Sequence, residues 1–115
     1  MKPYDMCMLG LGPVGTVSAV CIAKQGFNVI GVDVDPERVT AFEANEAPFV
    51  EPGVNALIRE AHDKGTFRAT LDGKTAIQQS RIIKIAVGTP TPESGEPDLS
   101  YLDKVAEDIG DALKG

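Results

Sequence analysis

The chain has 115 residues, of which 43% are hydrophobic and 24% charged, and its formal net charge is −6. This size and composition predict one globular domain rather than a disordered segment. The acidic balance argues against a nucleic-acid or anionic-membrane partner, and no apolar run approaches the roughly 18 residues of a membrane span. Two cysteines are too few for a disulfide framework, and the first residues lack a signal-peptide pattern, so we expect a cytoplasmic protein.

A glycine-rich turn follows the first predicted strand. The apolar run at residues 6–9 predicts that strand, and Gly10, Gly12 and Gly15 come directly after it in a GxGxxG pattern. Gly10 would make the tight turn, and Gly12, which has no Cβ, would let a pyrophosphate approach the backbone. Gly15 would let the next helix, predicted over residues 13–25, lie close to the strand. Free N–H groups at the start of that helix would bind the phosphates.

The second strand, predicted over residues 28–32, ends at an acidic residue, Asp33. A strand, a glycine turn, a helix, a strand and an acid in this order are typical of a dinucleotide site. The Asp33 carboxylate could accept hydrogen bonds from both adenosine ribose hydroxyls and would repel a 2′-phosphate, which favours NAD over NADP. Arg38 is the counter-argument, because a nearby Arg can accommodate a 2′-phosphate. We give Asp33 more weight because it occupies the diagnostic position. A plain glycine-rich turn is the alternative interpretation.

The rest of the chain continues to alternate helices and strands. Asp35 and Pro36 predict the N-cap and first position of a short helix, with Val39 and Phe42 facing inward. Further along, the pattern predicts a loop at 45–53 and then an amphipathic helix that ends at Gly65, with one face formed by Val54, Leu57, Ile58 and Ala61. A strand at 66–71, one or two helical turns at 74–79, a buried strand at 82–87 and a proline-rich loop at 88–97 are predicted next. The last predicted element is a helix capped by Asp98, with one face formed by Leu102, Val105, Ala106, Ile109 and Leu113.

Alternating strands and helices predict an α/β fold, a Rossmann-like parallel sheet of about four strands with helices on both faces. Right-handed crossovers give the strand order 3-2-1-4, and a cofactor would lie across the carboxyl ends of strands one and four, where the winding reverses. Lys84 marks the fourth strand as an edge strand, whose free edge suggests a continuation or a self-association surface. Residues 1–115 would then form part of a doubly wound domain.

Five short motifs occur in order along nearly the whole chain. They are the glycine turn at 10–15, Gly-Val-Asp-Val-Asp at 31–35, Glu-Pro-Gly at 51–53, Val-Gly-Thr-Pro at 87–90 and Pro-Asp-Leu-Ser-Tyr at 97–101. With them the chain resembles the N-terminal NAD-binding segment of the UDP-glucose/GDP-mannose dehydrogenase family. The Glu-Pro-Gly turn and the Val-Gly-Thr-Pro strand end discriminate best, because other Rossmann dehydrogenases do not usually carry both.

The resemblance implies an enzyme that oxidises the C6 alcohol of a nucleotide sugar to a carboxylate with two NAD molecules. By position, Val14 would donate a backbone N–H to the pyrophosphate, Asp33 would bind the adenosine ribose, Arg38 would lie near the adenosine, and Thr89 would contact the cofactor near the nicotinamide. Pro13 departs from the family, which usually has an aromatic residue there. Because Pro has no N–H, any phosphate contact through that amide is lost, and NAD affinity is expected to fall roughly tenfold or more.

The resemblance places the family's catalytic cysteine and lysine in a later segment, with central and C-terminal substrate domains, so this segment is predicted to bind NAD without catalysing. Cys7 and Cys21 are predicted among apolar neighbours that keep thiols inert. His62 is interpreted as a surface residue near a helix C-terminus, and no metal site is predicted. The implied partners are NAD, a nucleotide sugar and, as one option, a second copy of the chain. A non-catalytic NAD(H)-sensing module and another Rossmann dehydrogenase are the alternatives.

Overall fold

The structure, a computed structural model, describes residues 2–47, 52–86 and 100–114, with side chains except at 100–102. Five helices and four strands lie in these ranges. In chain order they are β1 (Tyr4–Leu9), α1 (Pro13–Lys24), β2 (Val29–Val32), α2 (Pro36–Glu43), α3 (Val54–Asp63), β3 (Phe67–Thr70), α4 (Gly73–Gln78), β4 (Ser80–Ile85) and α5 (Ser100–Lys114). Within the same ranges, no helix is both long and apolar enough to cross a bilayer.

The four strands form one parallel sheet in the order β3-β2-β1-β4, which confirms the predicted order. The central strand β1 pairs on both sides, so that Met8 is level with Gly31 of β2 and with Lys84 of β4. The chain moves outward from β1 to β3 and then returns to the other side of β1. The carboxyl ends of β1 and β4 therefore flank the point where the winding reverses, which is where open α/β sheets bind ligands.

Each face of the sheet has its own apolar core, because successive side chains of a strand point to opposite faces. On one face, α1, α2 and α3 pack against the strands through Met8, Val20, Phe42, Ile58, Phe67 and neighbouring residues. On the other face, α4 and α5 pack against Cys7, Leu9, Ile30 and Val32 through Ala76, Ile77 and Ala112. The predicted two-sided covering of the sheet is thus confirmed.

The predicted helix ends are set by local chemistry. Pro36 occupies the first turn of α2, and the Asp35 side chain accepts a hydrogen bond from the Glu37 amide at 3.0 Å, as an N-cap residue does. α3 begins after Gly53, at φ +83°, and is followed by Gly65, at φ +73°. These φ values lie in the left-handed region that favours glycine, so the chain can turn there at little conformational cost.

The fourth strand differs from its prediction in position and in burial. β4 begins at Ser80, two residues earlier than expected, and Ile82 and Ile85 are 59% and 44% exposed. The expectation of a fully buried strand is wrong, because among the described strands β4 pairs only with β1 and its other edge is free. Within the residues that the structure describes, the edge position inferred from Lys84 is confirmed. The predicted loop at 88–97 and the Asp98 cap lie outside the described residues.

The contact face of the last helix is also rotated from its prediction. Val105, Ile109 and Ala112 pack against the core, whereas Leu113 is 69% exposed and Ala106 is exposed as well. α5 reaches the core mainly through the short helix α4. Its contact is therefore a narrow stripe at i, i+4 and i+7 that the apolar pattern alone overestimates.

Candidate dinucleotide site

The turn after β1 has the backbone geometry that its glycines were expected to provide. Gly10 has φ +107°, which L side chains rarely adopt, and its amide donates to the Val32 carbonyl at 2.8 Å. That hydrogen bond ties the turn to the end of β2. The expectation of a tight turn at Gly10 is therefore met by its conformation.

Gly12 and Gly15 are needed for different reasons. A Cβ built on Gly15 would overlap the Gly10 carbonyl oxygen and would lie 3.2 Å from the Ala86 Cβ, so only glycine lets α1 lie this close to the turn. A Cβ built on Gly12 meets nothing within 4 Å. No described part of the protein forbids a side chain at Gly12, and the open backbone there is what a pyrophosphate approach requires.

The N-terminus of α1 provides an uncapped helix end beside this turn. Gly12 is the N-cap residue, Pro13 follows at the first helical position, and no side chain in the described part of the chain caps the helix. The amides of Val14 and Gly15 have no carbonyl one turn earlier within the helix to bond. The first turn also contains no acidic residue of its own beside its partial positive charge. This arrangement suits a phosphate group.

Asp33 lies at the carboxyl end of β2 and is only 7% exposed. Its Oδ2 accepts a hydrogen bond from the Leu11 amide at 3.0 Å and another from Arg38 Nη1 at 3.1 Å, and its Oδ1 accepts one from the Asp35 amide at 3.0 Å. An ionised carboxylate has about four acceptor positions. These contacts use three of them, so binding both ribose hydroxyls, as the sequence suggested, requires Arg38 to move off Oδ2.

Sequence reasoning missed two residues that hold the turn in place, one within it and one in α1. Leu11 is fully buried, and its side chain packs over Gly31, where any Cβ would collide with the Leu11 methyl groups. Thr16 is also fully buried, and its Oγ1 donates to the Leu11 carbonyl at 3.1 Å. The available signals were the apolar residue between two glycines and a hydroxyl one helical turn after the N-cap, and neither identifies its partner.

The comparisons with known proteins agree with this geometry. Residues 4–115 match the model of the UDP-glucose/GDP-mannose dehydrogenase family, NAD binding domain. The chain belongs to this family. It is 38% identical over 107 residues to GDP-mannose 6-dehydrogenase of Pseudomonas aeruginosa, covering 93% of this chain and 24% of that protein. It is 39% identical over 109 residues to UDP-glucose 6-dehydrogenase of Rhizobium meliloti, covering 94% and 25%.

Solved structures of the same family share the fold. A ternary complex of GDP-mannose dehydrogenase from Pseudomonas aeruginosa superimposes with a TM-score of 0.92 at 38% identity, covering 95% of this chain and 25% of that one. UDP-glucose dehydrogenase from Pyrobaculum islandicum gives 0.90 at 33% identity, covering 96% and 26%. The chain thus spans about a quarter of the length of these relatives. It is an NAD-binding domain of a family of NAD-dependent oxidoreductases, with a Rossmann-like fold.

The remaining candidates of this NAD-binding domain lie elsewhere in the fold. Cys7 is inside β1, and burial raises the pKa of its thiol to about 12, which keeps it protonated and unreactive. Cys21 is on α1 as predicted, but it is exposed, because its position points away from the sheet, so the expected shielding by apolar neighbours is wrong. Thr89 lies outside the described residues, as does Glu51, the first residue of the Glu-Pro-Gly motif. No group of three or more His, Cys, Asp or Glu side chains in the described ranges could hold a metal ion.

His62 has a structural role that its sequence position did not reveal. Its Nε2 lies 3.1 Å from Glu43 Oε2, and its Nδ1 lies 2.8 Å from Asn45 Oδ1. Glu43 also accepts a hydrogen bond from Arg68 Nε at 3.2 Å. The interpretation of His62 as a surface residue at its own helix end is therefore incomplete. The imidazole joins α3 to the end of α2, on the face of the sheet that α1 also covers.

Proposed function

We propose that this chain is the NAD-binding part of a nucleotide-sugar 6-dehydrogenase of the UDP-glucose or GDP-mannose type. The whole enzyme would oxidise the C6 alcohol of the sugar to a carboxylate with two NAD molecules, each of which accepts a hydride when bound. Family membership over residues 4–115 supports this proposal. Relatives named for GDP-mannose and for UDP-glucose match at similar identity, 38% and 39%, so the proposal covers both sugars.

The observation that carries the proposal is the combination of open backbone at Gly12 with a buried carboxylate at Asp33. The pyrophosphate would approach Gly12 and the Val14 amide at the start of α1, while Gly10 and Gly15 shape the turn. Pro13 contributes no amide, so the phosphate contacts would begin at the next residue. Among the described residues, no side chain caps this helix end and none contacts the open face of Gly12, so packing explains neither feature, and an anionic ligand accounts for both.

The adenosine end of the cofactor would lie at the end of β2. Asp33 would accept a hydrogen bond from one ribose hydroxyl through Oδ1, and Arg38 would move from Oδ2 toward the adenosine to admit the second. A 2′-phosphate would bring further negative charge next to a nearly buried carboxylate, which disfavours NADP. Thr89 is proposed, on the family resemblance alone, to contact the cofactor near the nicotinamide.

We also propose that residues 1–115 are the N-terminal portion of this enzyme's NAD-binding domain and that central and C-terminal substrate domains complete it. Among the described strands nothing pairs with the outer edge of β4, and α5 packs on a face of the sheet rather than at that edge, which supports a further strand beside β4. A homodimer is the proposed assembly, based on the family resemblance. The unpaired cysteines fit the reducing conditions of the cytoplasm, the proposed location.

Calorimetric titration of the chain with NAD and NADP tests the cofactor assignment. Saturable binding of NAD, absence of NADP binding and loss of NAD binding in Asp33→Ala are the expected results. Asp63→Ala is the matched control, because it removes one negative charge from the exposed end of α3. Equal binding of NADP, or unchanged NAD binding in Asp33→Ala, would contradict the assignment of Asp33.

The activity is tested on the whole protein with UDP-glucose and with GDP-mannose as substrates. Formation of two NADH per sugar oxidised, followed by absorbance, supports the dehydrogenase proposal and identifies the sugar nucleotide. Normal NAD binding without NADH formation from either sugar would reject it in favour of a non-catalytic NAD(H)-sensing module or another Rossmann dehydrogenase.

A further inference from the structure

The turn between β1 and α1 is held in place at Leu11 by three separate contacts. The Leu11 side chain packs over Gly31, its carbonyl oxygen accepts the Thr16 hydroxyl at 3.1 Å, and its amide donates to Asp33 Oδ2 at 3.0 Å. The first two contacts come from packing and from the helix that follows the turn. The third comes from the residue proposed to bind the ribose.

We propose that Asp33 is a positioning residue for the phosphate-binding turn, holding it through the Leu11 amide before any cofactor arrives. The inference rests on the proposed function in so far as the turn binds a pyrophosphate. Asp33 then acts on both ends of the site, because one carboxylate oxygen fixes the turn while the other faces the position proposed for the ribose. A ribose-binding role alone does not require the bond to Leu11.

Because the hydrogen bond between the Leu11 amide and Asp33 is buried, its loss should destabilise the turn. The Leu11 amide and the Asp33 carboxylate are both buried, and a buried N–H without an acceptor loses the hydrogen bonds that water would give it. Removing the carboxylate leaves the Leu11 amide without its acceptor, three residues before Val14, where the proposed phosphate-binding amides begin. The turn would then open locally to find water, while the sheet beneath it stays intact.

Asp33 Oδ2 accepts a hydrogen bond from a second donor, Arg38, and removing that donor distinguishes the ion pair of Asp33 from its contact with the turn. Arg38 Nη1 also donates to Oδ2, but its side chain is 38% exposed and lies on α2, outside the turn. Arg38→Ala therefore removes an ion pair from Asp33 without touching the Leu11 bond. Asp33→Asn keeps an acceptor of the same shape, and its oxygen is expected to face Leu11 and Arg38, because two donors lie on that side.

Amide hydrogen exchange of the cofactor-free chain, followed by NMR, tests the proposal. The Leu11 amide is expected to be protected in the unchanged chain and to exchange at least about tenfold faster in Asp33→Ala, while the Met8 amide in β1 keeps its protection. Arg38→Ala should leave the Leu11 rate within about threefold, and Asp33→Asn should restore a rate closer to that of the unchanged chain than to Asp33→Ala.

An unprotected Leu11 amide in the unchanged chain, or an unaltered rate in a folded Asp33→Ala chain, would overturn the proposal. If Asp33→Ala unfolds, as loss of Met8 protection would reveal, the proposal is tested instead by a measurement on the unchanged chain. A scalar coupling across the hydrogen bond, from the Leu11 ¹⁵N to the Asp33 carboxyl ¹³C, supports the proposal, and its absence overturns it. None of these measurements contains NAD, so a failed cofactor titration and a failed positioning role give different results.

Discussion

Replacing Gly15 by alanine is expected to destabilise the chain, because there is no room for a Cβ. The added atom would overlap the Gly10 carbonyl oxygen and would lie 3.1 Å from the Gly10 carbonyl carbon and 3.2 Å from the Ala86 Cβ. Two of these three atoms belong to the backbone of a turn that is tied to Val32 by a 2.8 Å hydrogen bond. The turn can yield only by weakening that bond or by moving α1 off the sheet.

The size of the effect follows from two opposing contributions. Overpacking of a well-filled site costs about 1–3 kcal/mol, and a backbone neighbour places Gly15→Ala at the upper end. Alanine has a better helix propensity than glycine by about 1 kcal/mol, which offsets part of the loss. The net loss in unfolding free energy is about 2 kcal/mol, which corresponds to a melting temperature lower by roughly 10 °C.

Gly12→Ala is the matched control for this prediction. Gly12 has φ −72° and ψ −175°, which any residue adopts, and no atom of the residues that the structure describes lies within 4 Å of an added Cβ. Its unfolding free energy should stay within about 0.5 kcal/mol of the unchanged chain, whereas its NAD affinity should fall at least about tenfold. Urea titrations followed by circular dichroism, together with NAD calorimetry, measure both quantities. A Gly15→Ala chain as stable as the unchanged chain would refute the packing argument, and normal NAD binding by Gly12→Ala would refute the pyrophosphate approach.

Three further outcomes are expected. Pro13→Tyr restores an amide at the start of α1 and should raise NAD affinity roughly tenfold, since such a bond is worth about 1.5–3 kcal/mol; equal affinities in calorimetry would contradict this. Phe42→Ala removes a 1% exposed ring that packs edge-on against Phe67, and it should lower the unfolding free energy measured by urea titration by about 3–5 kcal/mol. Phe27→Ala removes a 52% exposed ring and should lower it by less than about 1 kcal/mol. Similar losses for the two variants would count against the assignment of Phe42 to the core. Iodoacetamide at neutral pH should label Cys21 and spare Cys7, whose pKa is raised from 9.0 to about 12 by burial. Because unfolding returns the Cys7 thiol to its ordinary pKa, the unfolding free energy should fall as the pH rises from 9 toward 12. A Cys7→Ala chain that shows the same fall would exclude this cause.

Much of the fold was determined by local sequence signals. The apolar run before Gly10 indicated where a strand ends, and Gly65 indicated where a helix ends, because these signals act within a few residues of backbone. Asp35 capping α2 is an example that needed no tertiary information. The strand order followed from alternation together with the right-handedness of parallel crossovers, a rule that holds for nearly every such connection. The candidate dinucleotide site could be proposed for the same reason, since its glycines and acid occur at fixed places in that alternation.

Contacts between distant parts of the chain decided the rest. Apolar content marked β4 and α5 as buried, but the amount of cover depends on what packs against them, and Ile82 and Leu113 remain exposed. The sequence placed Asp33 at the end of β2 as a ribose ligand. Only the folded chain brings the Leu11 amide, 22 positions earlier, to that carboxylate. A pattern with a period of two or 3.6 residues specifies which side of an element is apolar, whereas the partner of a buried polar group is set by the arrangement of whole elements in space.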